Sequence, residues 1–336
     1  MTKTGIVRKP ERVASVLLTF IILSMGFADY WEYSKAYHLT PSIYMDVLQG
    51  SANAPAQYRI GVLKVADFLA RHAHVGLRHT LTLIDVIAAF VAVFTLFSLL
   101  RRSDVYKSAG NAARWFGVGS FVILVQFYFA WVTWYQRPET LPTAALVSLV
   151  LLLLTDRLPL PAAVGYVVSA AAMVLLAVAQ GFTRADVAFA IHAGILLVCL
   201  TSFGNRFALP RGVQIGTSLI SILVAFGIQS YLMHVVYPLA NYGSTPVVQF
   251  FINLTSPMEI LAFLLFMLPY GWTVNVLLRR QAQAEASAGA LLCGSAIYLG
   301  LWFVLGRIAE VRIFLPFALA VAPLTAQVAM QRFIAE

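Results

Sequence analysis

Charge is what this sequence has least of. Asp, Glu, Lys and Arg make up 11% of its 336 residues, where a soluble globular chain carries about 25%. So little charge leaves a fold of this size without the surface it needs in water. Cysteine is as scarce. Cys199 and Cys293 both lie in apolar runs, which argues against a disulfide framework, and no Cys or His spacing suits a zinc site. No Gly-rich phosphate loop, G-x-S-x-G elbow or H-E-x-x-H motif is present, so nucleotide chemistry inside the cell finds no support. The formal charge of +9 forms no nucleic-acid-binding stripe, and no nucleic-acid partner is expected. With no repeat of roughly 20–50 residues and no low-complexity segment, 1–336 reads as a single domain.

Hydrophobic residues, by contrast, supply 60% of the chain, and the mean hydropathy is +0.82. Only helices or closed barrels satisfy their backbone inside lipid. The apolar runs are long and do not alternate, which points to helices. The expected fold is an all-α polytopic transmembrane helical bundle of about ten spans. They fall near 13–27, 77–100, 115–135, 141–154, 161–178, 187–203, 212–236, 257–278, 288–305 and 313–330. The basic-then-apolar start reads as an uncleaved first span, because Asp29-Tyr30-Trp31 rather than small residues follow it.

Between the first two spans, 28–75 reads as a loop rich in aromatic and polar side chains. Within it, 60–74 repeats apolar residues every three or four positions and lines another side with Lys64, Asp67 and Arg71. That pattern predicts a helix lying in the membrane interface. Counting Lys and Arg in alternate links gives fourteen on the side of the N-terminus and nine on the other. The bias places the N-terminus in the cytoplasm. The outer side then collects Asp29, Glu32, Asp46 and Arg59, then Arg137 and Glu139, and finally Arg307, Glu310 and Arg312. Charges at span ends are costly unless paired or facing a wet cavity, so they are the first candidates for function.

Asp29 stands where the first span leaves the lipid. Partial burial would raise its basicity and suit it to act as a general base. Glu32, three residues on, shares its face if the helix continues. Arg59, in Ala56-Gln57-Tyr58-Arg59, offers a planar fork of donors that fits phosphate oxygens. Arg307 and Glu310 have the spacing of a helical ion pair, and Arg137-Pro138-Glu139 is equally compact. Both sets read either as salt bridges or as phosphate-binding arginines oriented by a carboxylate. Glu259, just inside a span, could bind sugar hydroxyls or pair with an arginine. His192, alone in an apolar run, reads as a packed or interhelical hydrogen-bonding residue. His38, His72, His74 and His79 lack metal-ligand spacing.

A first span followed by an acidic residue, here Phe27-Ala28-Asp29-Tyr30, then a long outer loop with interfacial helices, resembles the GT-C superfamily of integral-membrane glycosyltransferases. The short charged links Tyr135-Gln136-Arg137-Pro138-Glu139 and Gly306-Arg307-Ile308-Ala309-Glu310-Val311-Arg312 are similar to inter-span motifs of bacterial members. The chain differs from many members in having a single acidic residue at position 29 rather than an adjacent pair. The resemblance implies inverting transfer of a sugar from a polyprenyl-phosphate-linked donor to a glycan, lipid or protein acceptor, at the outer face of the bacterial inner (plasma) membrane. Asp29 and Glu32 would be catalytic. Arg59, Arg137, Glu139, Glu259, Arg307, Glu310, Arg312 and Tyr58 would bind substrate, with aromatic rings stacking on sugar. No cofactor is implied, although a divalent metal is compatible. The alternatives are a transporter or flippase of a lipid-linked or anionic substrate, and a polysaccharide polymerase, ligase or acyltransferase.

Overall fold

The computed structural model describes residues 8–39, 42–102, 115–124, 137–155, 158–242, 246–279, 286–308 and 310–317. Their regular structure is all helical, with no strand among the described residues. The helices are α1 (Arg8–Leu39), α2 (Ile43–Gln49), α3 (Gly61–Ala73), α4 (Leu77–Arg102), α5 (Trp115–Leu124), α6 (Thr140–Thr155), α7 (Ala162–Thr183), α8 (Ala185–Cys199), α9 (Arg211–Tyr231), α10 (Phe250–Thr255), α11 (Pro257–Arg279) and α12 (Ala286–Leu305).

Among the described residues, five helical stretches are long and apolar enough to cross a membrane: Ser15–Leu39, Leu77–Leu100, Ala162–Thr183, Arg211–Val236 and Ala286–Leu305. The runs expected as spans four and six become α6 and α8, of 16 and 15 residues. At 1.5 Å per residue they reach about 24 Å, short of the roughly 30 Å hydrocarbon core. The aromatic end of the third expected span, 127–135, and most of the tenth, 318–330, lie outside the described residues. The 13-residue α3 is about 20 Å long, too short to cross. It buries Val62, Leu63, Ala66 and Ala70 and exposes Lys64 and Arg71.

The first element departs most from its sequence pattern. A span ending at Phe27 was expected, with 28–75 as a loop, but α1 runs on to Leu39. No Gly or Pro interrupts 29–39, and Tyr33 and Ala36 carry the buried stripe of α1 onward, both fully buried. Packing keeps the helix going where hydropathy falls.

Among the described residues, three large apolar clusters and a small one of Ala185, Ala188 and Ala225 hold the bundle. Leu18, Ile22 and Met25 of α1 pack with Ala89 and Val93 of α4, Phe121 of α5 and Ala144 of α6. The far half of α6, with Val150 and Leu154, joins Ile191 and Ile195 of α8 and Tyr298 and Trp302 of α12. Tyr33, Tyr44, Tyr58, Leu63 and Leu81 form the third cluster, at one end of the bundle. Helices α8 and α12 approach to backbone contact. A Cβ on Gly194 would stand 2.4 Å from the Ala290 carbonyl oxygen and 2.5 Å from the Gly294 nitrogen. Small residues allow this approach, which gains dispersion where lipid offers no hydrophobic drive. Gly194→Val is expected to destabilise the protein by about 1–3 kcal/mol or more. Gly216→Ala, with nothing within 4 Å, is expected to change little. Thermal unfolding in detergent, followed by helix signal, compares the two.

Candidate functional site

A cleft of about 880 Å³ opens at the end of the bundle that holds the third cluster. Its lining comes from five separated segments: 44–63, 137–140, Arg184, 242–252 and 305–313. These are the links that an alternating topology puts on one side of a membrane. Four arginines face the cleft, Arg59, Arg137, Arg184 and Arg307, together with the carboxylates Asp46, Glu139 and Glu310.

The first wall is a stitched loop. The Gln57 amide donates to Val47 O at 2.9 Å and accepts from Ala52 N at 2.9 Å. The Tyr58 hydroxyl donates to Ala240 O at 2.6 Å, and Ala54 N donates to Asn241 O at 2.9 Å. These bonds hold Arg59 at the rim, where its Nη1 donates to Glu139 Oε1 at 3.2 Å. Glu139 is 6% exposed. Burial alone would raise its pKa, but Arg59 first, then Arg137 and Arg184, outweigh it and hold the carboxylate below its ordinary value.

Behind Tyr44 of the lining, the overhang of α1 packs against α4. Tyr33 donates to Asp85 Oδ2 at 2.7 Å, with both side chains buried. Tyr44 of α2 packs edge-on against Tyr33, ring centroids 5.8 Å apart, and lines the cleft. Its hydroxyl is pushed well above the ordinary value, mainly by burial, with Arg137 pulling the other way and Asp29 and Asp85 adding to the rise. Arg78 lies over the rings of Tyr30 and Tyr37 at 5.8 and 5.5 Å.

The opposite wall depends on Asn253 of α10, fully buried. Its amide nitrogen donates to Phe303 O at 2.7 Å and to Gly306 O at 2.8 Å, and its oxygen accepts from Ile308 N at 3.2 Å. One side chain thus satisfies the Phe303 carbonyl in the last turn of α12 and the Gly306 carbonyl just after it, and shapes the turn carrying Arg307. Arg307 Nη2 donates to Glu259 Oε1 at 3.0 Å.

Arg184 is the single residue between α7 and α8, and it is 3% exposed. Its guanidinium grips Asp186 with two bonds, Nε to Oδ1 at 3.0 Å and Nη2 to Oδ2 at 2.6 Å. It also donates to the Tyr298 hydroxyl of α12, which in turn donates to Ile313 O at 3.0 Å. Burial works against the charge, but Asp186 more than compensates and keeps Arg184 firmly protonated.

Of the residues singled out in the sequence, the cleft gathers Arg59, Arg137, Glu139, Arg307 and Glu310. Asp29 is 2% exposed and is not part of the lining; its charge acts on Tyr33 and Tyr44 instead. Glu32 turns away and binds Lys35 Nζ at 2.6 Å. Tyr58 is buried in the loop it anchors. Glu259 reaches the cleft through Arg307. Arg307 and Glu310 do not sit on a helix: α12 ends at Leu305 and the next turn starts at Val311, so the helical pairing their spacing suggested has no scaffold. Arg312 belongs to that turn, and its side chain lies outside the described residues. Sequence reasoning missed Arg184, Asp186, Tyr298 and Tyr44. A charged Arg-Ala-Asp between two apolar runs was the available signal for the first two. Among the described residues, no three His, Cys, Asp or Glu side chains converge on a common point. The chain matches no protein-family model, no curated protein and no solved structure.

The lowered pKa of Glu139 has a pH consequence. A depressed carboxylate contributes stability that is fully present above its unfolded value, near 4.5, and that is lost as pH falls through the folded value. Thermal stability should therefore drop on acidification below about pH 4.5. Glu139→Gln should lower stability at neutral pH and flatten this part of the profile. Melting curves of both proteins across pH 3–7 check it.

Proposed function

We propose that the cleft binds the phosphate of a lipid-linked sugar and that the protein is a membrane glycosyltransferase of the GT-C type. The observation that carries this reading is the convergence of four arginines from four separate segments on one cleft. Guanidinium groups offer forked donors matched to phosphate oxygens. Arg59 gives Glu139 one Nη1 bond and Arg307 gives Glu259 one Nη2 bond, so each fork keeps further donors for an anion. Beside the arginines the lining turns apolar, with Val247, Ile252 and Leu305. Val248 and Phe251 continue that surface outward, 51% and 73% exposed. A phosphate with a long apolar tail matches both halves.

The Lys and Arg bias supports a cleft on the outer face with the N-terminus in the cytoplasm, and the resemblance to the GT-C type points to a bacterial plasma membrane. A polyprenyl-phosphate donor suits that face, where nucleotide sugars are not supplied. In the reaction, a carboxylate takes the proton of the acceptor hydroxyl. The hydroxyl oxygen forms a bond to the anomeric carbon, and the bond from that carbon to the phosphate oxygen breaks with inversion. The lipid phosphate leaves with the electron pair, and the arginines stabilise its charge. Asp46 faces the cleft and is partly exposed, which fits the reach required of a base. Asp29 is buried and lies outside the lining, so the base is assigned to Asp46 instead.

Purified protein in nanodiscs is expected to bind polyprenyl phosphate far more tightly than inorganic phosphate. Arg137→Gln and Arg307→Gln should each weaken that binding about tenfold or more, the effect of losing a charged hydrogen bond. Asp46→Asn should keep the binding and abolish sugar transfer from a polyprenyl-phosphate donor. Unchanged binding in both arginine variants would overturn the phosphate site, and near-normal transfer by Asp46→Asn would remove that residue as base.

A further inference from the structure

Helices α7, α8 and α9 enclose polar side chains that neither the cleft nor the packing explains. His192, Ser218, Ser221 and Gln180 are fully buried. Among the described residues, both ring nitrogens of His192, both amide atoms of Gln180 and both serine hydroxyls have no hydrogen-bond partner. Buried polar groups are almost always paired, with protein or with ordered water.

The register of the helices brings these groups together. Ala188 of α8 clusters with Ala225 of α9, and the Cys199 thiol donates to Gln214 Oε1 at 2.9 Å. These two contacts fix α8 and α9 as antiparallel neighbours. One turn along from Ala188 is His192, and one turn back from Ala225 is Ser221. Both therefore lie on the contacting faces at the same level. Ser218 follows about one turn beyond Ser221. On α7, a Cβ at Gly181 would stand 3.3 Å from the Ala225 Cα, which puts the neighbouring Gln180 on the cleft side of His192. Its carbonyl accepts from the Arg184 nitrogen at 2.6 Å. Beyond Ser218, Gln214 donates to Gly204 O at 3.3 Å, close to a second cavity of about 120 Å³ bordered by Ser169 and Leu209.

We propose that these side chains line an internal water site, a hydrated seam centred on His192 and Ser221 that runs from the Arg184 end of the bundle toward the second cavity. Its ligand is water, held by an imidazole, two hydroxyls and a carboxamide. Each offers both a donor and an acceptor, the combination a bridging water needs. The nearest ionised groups along the seam are Arg184 and Asp186, paired with each other at its cleft end. The site is independent of what the cleft binds.

Thiol accessibility tests it, because a thiol reacts with a water-soluble methanethiosulfonate only where water can ionise it. In a Cys199→Ser, Cys293→Ser background reconstituted in liposomes, Ser221→Cys should be modified at least about tenfold faster than Leu223→Cys. The latter is 71% exposed on the outer side of α9. Adding His192→Phe, which fills the seam, should suppress the reaction. Ser218→Cys is the second probe if Ser221→Cys does not elute as wild type. Modification of the serine positions no faster than Leu223→Cys overturns the proposal, and so does modification that His192→Phe leaves unchanged.

Discussion

The arrangement depends on one buried guanidinium. Arg184 has to be buried because α7 and α8 meet with a single residue between them, so its side chain has little room to reach solvent. An ionised group in that position is tolerable only if it is fully paired. Asp186 answers it from the first turn of α8, and Tyr298 answers it from α12. The Tyr298 hydroxyl then fixes Ile313, and with it the turn that follows Arg307. Satisfying one charge thus sets the relative positions of α7, α8, α12 and the last described turn.

The cleft is built outward from that point. Each wall belongs to a different link, and the ties between them combine backbone groups with the Tyr58, Asn253 and Arg59 side chains. The 51–59 loop is bonded to 240–241, and α10 is bonded to the end of α12. Arginines on such walls are held by their backbone and need little reordering to meet an anion, which favours tight binding. Glu139 accepts from Arg59 and lies within the field of Arg137 and Arg184.

Much of this could be read from the order of residues, and the limits have physical causes. The runs behind α6, α7, α9, α11 and α12 are long and apolar, and hydropathy located them to within a few residues. The arithmetic of alternate links put Arg59, Arg137, Glu139, Arg307 and Glu310 on one side, and all five line the cleft. The departures lie where helices end. Arg307 finds Glu259, 48 positions away, because the turn after α12 breaks the helical spacing to Glu310. Asp29 seemed to stand at a helix end, but the Tyr33 and Ala36 stripe carries α1 past it and into the packed base of the cleft. Arg184 looked like one more link arginine, since nothing in its neighbourhood shows that the link has no length.

The backbone contact between Gly194 and Gly294 also bears on how the protein is made. The two glycines are a hundred positions apart, so at about 5–20 residues per second α8 waits some 5–20 seconds for its partner to be synthesised. During that interval α8 is a 15-residue segment carrying Asp186 and His192, a weak candidate for insertion by itself. Its tight junction to the longer α7 lets the pair enter as one hairpin, with Arg184 and Asp186 at the tip. The face that later receives α12 carries Ala190, Ile191, Gly194 and Val198 and would meet lipid in the meantime. Biogenesis therefore has a defined vulnerable stage, after α8 has entered and before α12 arrives, when a chaperone or protease of the membrane could engage the unfinished bundle.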